Sequence, residues 1–115
     1  MSYFDVVYND IKGSLPMFQN VAILQFKGNS FTGSIPTEYG LLGNLTHLRL
    51  DYNTGIIGSV PSELVGCDKL TLLSIPHTGI SGNVTLCDVL GDNIEVHVTD
   101  VSICGVECEC CYVTT

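Results

Sequence analysis

A short phrase of glycine, serine, an aliphatic residue and proline recurs along this chain and constrains its fold more than any other feature. It stands at Gly13–Pro16, Gly33–Pro36 and Gly58–Pro61, and Gly82–Thr85 is a decayed fourth copy. The copies begin 20, 25 and 24 residues apart, a spacing typical of proteins that stack one small unit per repeat. Such a chain is expected to form a solenoid, because each unit can bury its apolar side chains only against its neighbours.

Each repeat opens with alternating apolar and polar residues, the pattern of a strand that is buried on one face. We expect these strands to pair in one parallel sheet, about 4.8 Å apart. Residues 37–44 and 62–69 should return the chain along the convex side as short helical or 3-10 turns. The residues predicted to point inward are, from repeat 1 to repeat 4, Phe4 and Val6; Val21, Leu24, Phe26, Phe31 and Ile35; Leu45, Leu48, Leu50, Ile57 and Val60; Leu70, Leu73, Ile75, Ile80 and Val84.

An asparagine follows the strand in the first three repeats. It stands at Asn9, Asn29 and Asn53, and Thr78 replaces it in the fourth repeat. Its side chain carries two donors and an acceptor, so it is expected to satisfy backbone groups that the bend leaves unpaired.

Two stretches of the sequence carry a resemblance to a known family. LQFKGNSFTGSIP at Leu24–Pro36 and LTHLRLDYNTGIIGSVP at Leu45–Pro61 follow the pattern L-x-x-L-x-L-x-x-N-x-L-x-G-x-I-P. On these motifs, residues 1–85 resemble the plant-type leucine-rich repeat family, and the tail ECECCYVTT resembles the cysteine-rich ends of leucine-rich repeat proteins from diatom-type algae. The resemblance implies an α/β repeat fold: a right-handed leucine-rich-repeat solenoid with a parallel concave β-sheet and short 3-10 or helical convex turns.

The chain is predicted to divide into two parts. Residues 1–84 hold four repeats, the first with a short back side, and residues 85–115 hold a terminal strand at Ile94–Val98 and a cysteine-rich C-terminal cap. A solenoid exposes its core at its open end, and a tail stapled by cysteines would cover it. Met1 falls at the start of a repeat with no capping segment before it, so we expect a longer array, truncated at its N-terminus.

Five of the six cysteines fall in the last 29 residues, a density typical of an oxidising compartment. Cys67 is predicted to be a buried free thiol on the convex side, or alternatively to join a third bridge. The tail could instead bind zinc, although it lacks the paired C-x-x-C spacing of structural zinc sites. The adjacent Cys110 and Cys111 should bond to different partners, because a bridge between neighbours is strained. The disulfide candidates, whose pairing the sequence leaves open, are Cys87, Cys104, Cys108, Cys110 and Cys111.

The cysteines favour an extracellular or cell-surface location, although no signal peptide is visible at Met1–Asp10. The glycosylation candidates are the sequons at Asn44 and Asn83. No apolar run approaches the roughly 18 residues that span a bilayer, so no membrane contact is expected within this chain.

Charge and motif content disfavour several classes of function. The chain carries 12 acidic and 4 basic side chains, and its net charge of −8 argues against nucleic acid or an anionic membrane as a partner. It has no G-x-S-x-G, H-E-x-x-H or P-loop signature, so neither an enzyme nor a cofactor is predicted. His47 and His77 occupy strand positions about 16 Å apart, so no metal site is expected.

The concave strand face is the binding surface that the resemblance implies. We predict a non-catalytic recognition module that binds a protein or glycan ligand there, since tyrosine and arginine are frequent interface anchors. The alternative is the structural C-terminal end of a larger leucine-rich-repeat receptor, or a secreted hydrolase inhibitor, with no binding role of its own. The ligand-binding candidates are Tyr8, Gln25, Lys27, His47, Arg49, Asp51, Tyr52, Ser74 and His77, and the same face should carry Tyr3, Asp5, Val7, Ile23, Leu72, Pro76, Glu95, His97 and Thr99.

Overall fold

The computed structural model describes residues 2–82, 86, 90, 93–99, 104 and 110–113. Asn83, Val84, Cys87 and Cys108, which the sequence analysis singled out, lie outside the described residues. The described strands are β1 (Ser2–Asp5), β2 (Lys12–Ser14), β3 (Val21–Gln25), β4 (Ser30–Gly33), β5 (His47–Arg49), β6 (Gly55–Gly58), β7 (Leu72–Ser74), β8 (Gly79–Ile80), β9 (Glu95–Val98) and β10 (Cys111–Val113). Two 3-10 helices complete the set, η1 (Thr37–Leu41) and η2 (Ser62–Gly66).

The strands form two stacks that run along the solenoid. One sheet has six strands in the order β1-β3-β5-β7-β9-β10, and every neighbouring pair in it is parallel. The other has four strands in the order β2-β4-β6-β8. Each of the four repeats gives one strand to each sheet, and β9 falls at the predicted terminal strand. The predicted solenoid with a parallel sheet and short 3-10 turns is confirmed.

The core lies between the six-stranded sheet and the rest of each repeat. Alternate residues of β3, β5, β7 and β9 are buried, and Leu24, Leu48, Leu73 and Val96 occupy equivalent positions with no exposed surface. Because the side-chain period of a strand is two, the residues between them must point to the opposite face of the sheet. This alternation places Gln25, Arg49 and His97 on the opposite face, which is the candidate ligand-binding face and is called the binding face below.

One predicted inward position was wrong. The sequence analysis placed Ile57 in the core, but Ile57 is 56% exposed and its neighbour Ile56 is fully buried. Repeat 3 has one residue more than repeat 2 between its asparagine and its glycine-serine phrase, and that residue is accommodated before β6, beside Thr54. A shift of one residue moves every side chain of a strand to the other face, so Ile56 replaces Ile57 in the core.

Asparagine side chains tie neighbouring repeats together. The Asn53 amide nitrogen donates to the Leu50 and Phe26 carbonyls at 2.9 Å each, and its oxygen accepts from the Phe31 N–H at 3.1 Å. Asn29 repeats the pattern, donating to the Phe26 carbonyl in its own repeat and accepting from backbone N–H groups of repeat 1. Asn53 is fully buried, so its hydrogen bonds satisfy backbone groups that water cannot reach.

The two ends of the stack depart from this pattern. Asn9 is exposed, and its backbone N–H donates to the Asn29 side-chain oxygen of repeat 2. In repeat 4 the Thr78 hydroxyl donates to the Ile75 carbonyl at 2.8 Å and accepts from the Ile80 N–H at 3.4 Å. Both bonds stay within repeat 4. The shorter threonine side chain therefore replaces the asparagine's bond to its own repeat and not its bonds to the preceding repeat.

The convex side is built from close backbone contacts. Pro36 and Pro61 precede η1 and η2 with φ angles of −62° and −63°, values that the proline ring fixes. The two helices stack so closely that a Cβ atom on Gly40 would overlap the Glu63 carbonyl oxygen. Cys67 ends the second turn as a buried free thiol, as predicted.

The C-terminal end adds a strand that the sequence analysis did not predict. Residues Cys111–Val113 form β10, which pairs with β9 in parallel. Cys111 is bonded to Cys104 in a disulfide, and Cys110 is also disulfide-bonded. Within the described residues, no helix is both long and apolar enough to span a bilayer.

Candidate ligand-binding face

The parallel register aligns side chains in rows across the binding face. We define the central row by equivalent positions on all six strands, and the lower row by the positions two residues earlier. The central row is Asp5, Gln25, Arg49, Ser74, His97 and Tyr112, and the lower row is Tyr3, Ile23, His47, Leu72 and Glu95. Successive members of a row lie on adjacent strands, about 4.8 Å apart.

A third row, the edge row, lies just past the ends of the strands and consists of Tyr8, Gly28, Tyr52 and His77. All four have positive φ angles, between 57° and 75°. Each backbone N–H donates to the next repeat, as from Tyr8 to the Lys27 carbonyl at 2.9 Å and from His77 to the Thr99 hydroxyl at 2.6 Å. This backbone conformation costs a non-glycine residue about 1–2 kcal/mol. The contacts between stacked repeats therefore have to hold Tyr8, Tyr52 and His77 in an unfavourable conformation.

The rings of the edge row are packed along the solenoid axis. The Tyr8 ring covers Gly28, where any Cβ atom would overlap it. The Tyr52 and His77 rings are stacked, with centroids 4.5 Å apart and planes 14° from parallel. The Lys27 ammonium lies between the two tyrosines, 5.8 Å from the Tyr8 centroid and 5.9 Å from the Tyr52 centroid, within range of a cation–π attraction to both rings.

A cleft opens on the central row where a small residue separates two large ones. Ser74 on β7 lies between Arg49 on β5 and His97 on β9. Its short side chain leaves a cleft of about 400 Å³, which His47 and Glu95 also line. This volume falls within the range of ligand pockets.

Three polar atoms on this face are buried without a hydrogen-bond partner in the described structure. They are Arg49 Nε, Asp51 Oδ1 and His77 Nε2. Arg49 Nη2 pairs with Asp51 Oδ2 at 3.2 Å, and that carboxylate is nearly inaccessible while the guanidinium remains one-third exposed. The ion pair fixes the arginine beside the cleft, and the exposed third of its side chain remains available to a ligand.

The binding face carries charges of both signs. Lys27 and Arg49, two of the four basic residues, lie on it with all three histidines. Asp5 in the central row, Glu95 in the lower row and Asp51 beside Arg49 lie on it as well. The face is therefore mixed in charge, and the one-third-exposed Arg49 is the cation that lines the cleft.

The predicted binding residues fall into three groups in the structure. Gln25, Arg49 and Ser74 belong to the central row, His47 to the lower row, and Tyr8, Tyr52 and His77 to the edge row, with Lys27 beside them. Asp51 and Ser74 are only 3% and 2% exposed. Asp51 therefore serves the face by fixing Arg49, and Ser74 forms the floor of the cleft.

Tyr112 is the member of the central row that sequence reasoning missed. It is 48% exposed and its ring lies beside that of His97, with centroids 5.4 Å apart. The available signal was weak, because Cys111–Val113 is only three residues long and follows no repeat phrase.

Asn44, a glycosylation candidate, lies away from the binding face. Its side-chain oxygen accepts a hydrogen bond from the Lys69 ammonium at 3.3 Å.

A larger cleft lies on the convex side, where repeat 1 is short. Its volume is about 680 Å³, and Met17, Phe18, Leu41 and Leu42 contribute apolar surface to it. Repeat 1 has no 3-10 helix to stack on η1, so the cleft follows from the missing turn.

Comparison with known proteins agrees with this architecture. No protein-family model matches the sequence. Among solved structures, the chain is similar to that of the plant peptide hormone receptor RGFR1 in complex with RGF2, with a TM-score of 0.76 and 25% sequence identity. The match covers 84% of this chain but 17% of that one, so this chain spans less than a fifth of the receptor's length. The fold is a leucine-rich-repeat solenoid of the plant type.

Proposed function

We propose that this chain is a non-catalytic recognition module that binds an extended peptide or protein segment on its six-stranded sheet. The observation that carries the proposal is the cleft whose floor is the buried Ser74 and whose walls are the half-buried Arg49 and His97. The resemblance to a receptor in complex with a peptide hormone supports this ligand class. An extracellular setting is part of the proposal, and the Cys104–Cys111 disulfide supports it.

The mechanism is rigid presentation. The strands β3, β5, β7 and β9 are held by neighbours on both sides, and Asn29 and Asn53 tie their repeats together. The binding side chains on these strands therefore lose little conformational freedom when a ligand arrives. Arg49 is the proposed anchor, because Asp51 fixes its orientation and one-third of its side chain remains exposed beside the cleft. A carboxylate of the ligand would pair with the exposed part of the guanidinium and enter the cleft.

A selection experiment tests the proposal. Phage-displayed random linear peptides would be selected on the oxidised chain, and the tightest peptide measured by titration calorimetry. Arg49→Ala should weaken that peptide by about tenfold or more, because a central arginine anchor contributes at least about 1.4 kcal/mol. Lys12→Ala is the matched control, since Lys12 is an exposed cation on β2 of the other sheet.

The outcome separates recognition from a scaffolding role. If binding survives Arg49→Ala, or if no peptide is recovered, the cleft is not the binding site. The chain would then be better described as the structural end of a larger receptor, or as part of a secreted inhibitor that uses another surface.

A neutral glycan is the second candidate ligand, and the edge row favours it. Tyr8 is 64% exposed and Tyr52 is 44% exposed, and flat amphipathic rings of this kind can pack against the apolar face of a sugar. The chain has no tryptophan, so tyrosine emission can report sugar binding without interference. Loss of a response to neutral oligosaccharides in Tyr52→Ala, but not in Arg49→Ala, would favour the glycan over the peptide.

A further inference from the structure

The cysteine-rich cap supplies the last strand of the binding face. In the register of β10 with β9, Cys111 pairs with Val96, Tyr112 with His97 and Val113 with Val98. Tyr112 therefore continues the central row beyond the cleft, whereas Val113 lies on the side of the buried Val98. A segment expected only to cover the core thus also extends the surface proposed to bind a ligand.

Tyr112 also borders the wall of the cleft. The His97 ring, which lines the cleft, has the Tyr112 ring beside it at 5.4 Å and the Glu95 carboxylate 3.1 Å from its Nε2 atom. One contact comes from the histidine's own strand and the other from the cap. The cap therefore supplies a ring that packs directly against one wall of the cleft.

Disulfides hold this tyrosine in place. β10 has three residues, and so short an edge strand is not stable through its ladder alone. Cys111, directly before Tyr112, is bonded to the buried Cys104, and the buried Cys110 is also disulfide-bonded. Two successive residues before Tyr112 are therefore fixed covalently.

From this geometry we propose that Tyr112 contacts the ligand and positions His97, so that the cap is part of the recognition surface and depends on the Cys104–Cys111 disulfide. The proposal rests on the proposed function. Tyr112 lies two strands from Ser74, about 10 Å away. An extended peptide rises about 3.4 Å per residue and presents alternate side chains to the same face, so the matching ligand carries an acidic side chain for the cleft and an apolar side chain two or four residues away.

The test uses the peptide selected on the oxidised full chain. Tyr112→Ala should weaken that peptide by about tenfold, as expected for a half-exposed aromatic anchor, and Tyr112→Phe should restore most of the affinity because it keeps the ring. Val113→Ala is the matched control: it truncates a side chain on the same strand but on the opposite face, and affinity should not change.

Positioning has its own measurement. In the ligand-free protein, Tyr112→Ala should average the χ1 angle of His97 over several rotamers, measured by three-bond NMR couplings, while Tyr112→Phe and Val113→Ala leave a single rotamer. These couplings report the orientation of the side chain and do not depend on the ring current of Tyr112, so an unchanged coupling in Tyr112→Ala would contradict the positioning role.

The disulfide is tested by Cys104→Ser with Cys111→Ser. This double variant should weaken the peptide as Tyr112→Ala does while the circular dichroism of the repeats is retained. Unchanged affinity in Tyr112→Ala, together with loss in Arg49→Ala, would overturn the role of the cap and leave the proposed function intact. Unchanged affinity in Arg49→Ala would overturn the proposed function and this inference together.

Discussion

Repeats 2 and 3 hold their turns differently from the C-terminal end of the sheet. In the interior repeats a buried asparagine bonds both to its own strand and to the preceding repeat, as Asn53 does with Leu50 and Phe26. In repeat 4, Thr78 bonds within its own repeat, and the last strand is secured by the Cys104–Cys111 disulfide.

The difference reflects what each region has beside it. An interior repeat can exchange hydrogen bonds with two neighbours, so each asparagine satisfies backbone groups that stacking has removed from water. A terminal strand has only one neighbouring strand and few hydrogen bonds to it. In this chain a disulfide adds to those bonds by reducing the conformational entropy of the unfolded state. The interior should therefore respond most strongly to the loss of polar groups, and the end to the loss of cysteines.

The largest effect is expected from Asn53→Ala. It leaves the Phe31 N–H and the Leu50 and Phe26 carbonyls without their side-chain partner, and the free energy of unfolding should fall by about 3 kcal/mol. Urea unfolding followed by circular dichroism measures the change. Thr78→Ala should lower the free energy of unfolding by about 1 kcal/mol. Equal losses in the two variants would contradict the difference between the interior repeats and repeat 4.

Gly40→Ala should have the next largest effect on the free energy of unfolding. The methyl group would overlap the Glu63 carbonyl oxygen where η1 and η2 stack, so the helices must separate at a cost of about 2 kcal/mol. Gly43→Ala is the control, because nothing lies within 4 Å of its Cβ position. If both variants unfold at the same urea concentration, close stacking of the convex turns does not limit stability.

The repeat period made most of this fold predictable from the sequence. Strand alternation and the glycine-serine-proline phrase place the core of each repeat, and they fail at Ile57 because a single inserted residue leaves the local phase undetermined. The binding face was predictable as a set of positions. The burial of Asp51 was not, because it depends on how the Arg49 side chain folds over it.

The edge row was also only partly predictable. The position after the strand predicts that Tyr8, Tyr52 and His77 lie on this face. It does not predict how their rings pack, because that depends on a left-handed backbone conformation that glycine alone adopts readily. Tyr112 was not selected, because its strand is defined by pairing with β9 and by the Cys104–Cys111 bond rather than by a pattern in the sequence.

Gly28→Ala should distinguish backbone strain from ring packing in the edge row. Gly28 and Gly33 both have positive φ angles, 75° and 85°, but a Cβ atom on Gly33 meets nothing while one on Gly28 overlaps the Tyr8 ring. Gly33→Ala should cost about 1 kcal/mol from strain alone, and Gly28→Ala about 2 kcal/mol. In addition, only Gly28→Ala should move the NMR signals of the Tyr8 ring, and unmoved signals would show that this ring does not rest on the glycine.

The smallest expected effect is a loss of stability in alkali that depends on Cys67. Burial, with a smaller contribution from Asp68, raises the pKa of the Cys67 thiol from 9.0 to about 11. The unfolded chain therefore loses this proton at lower pH than the folded chain. The thiol's contribution to stability is complete below about pH 9 and is lost as pH rises toward about 11. Burial also raises the pKa of Tyr39, so the comparison is with Cys67→Ala, in which the tyrosine is unchanged. The wild-type free energy of unfolding should fall more steeply than that of the variant across this window, and parallel curves would mean that the thiol ionises equally in both states.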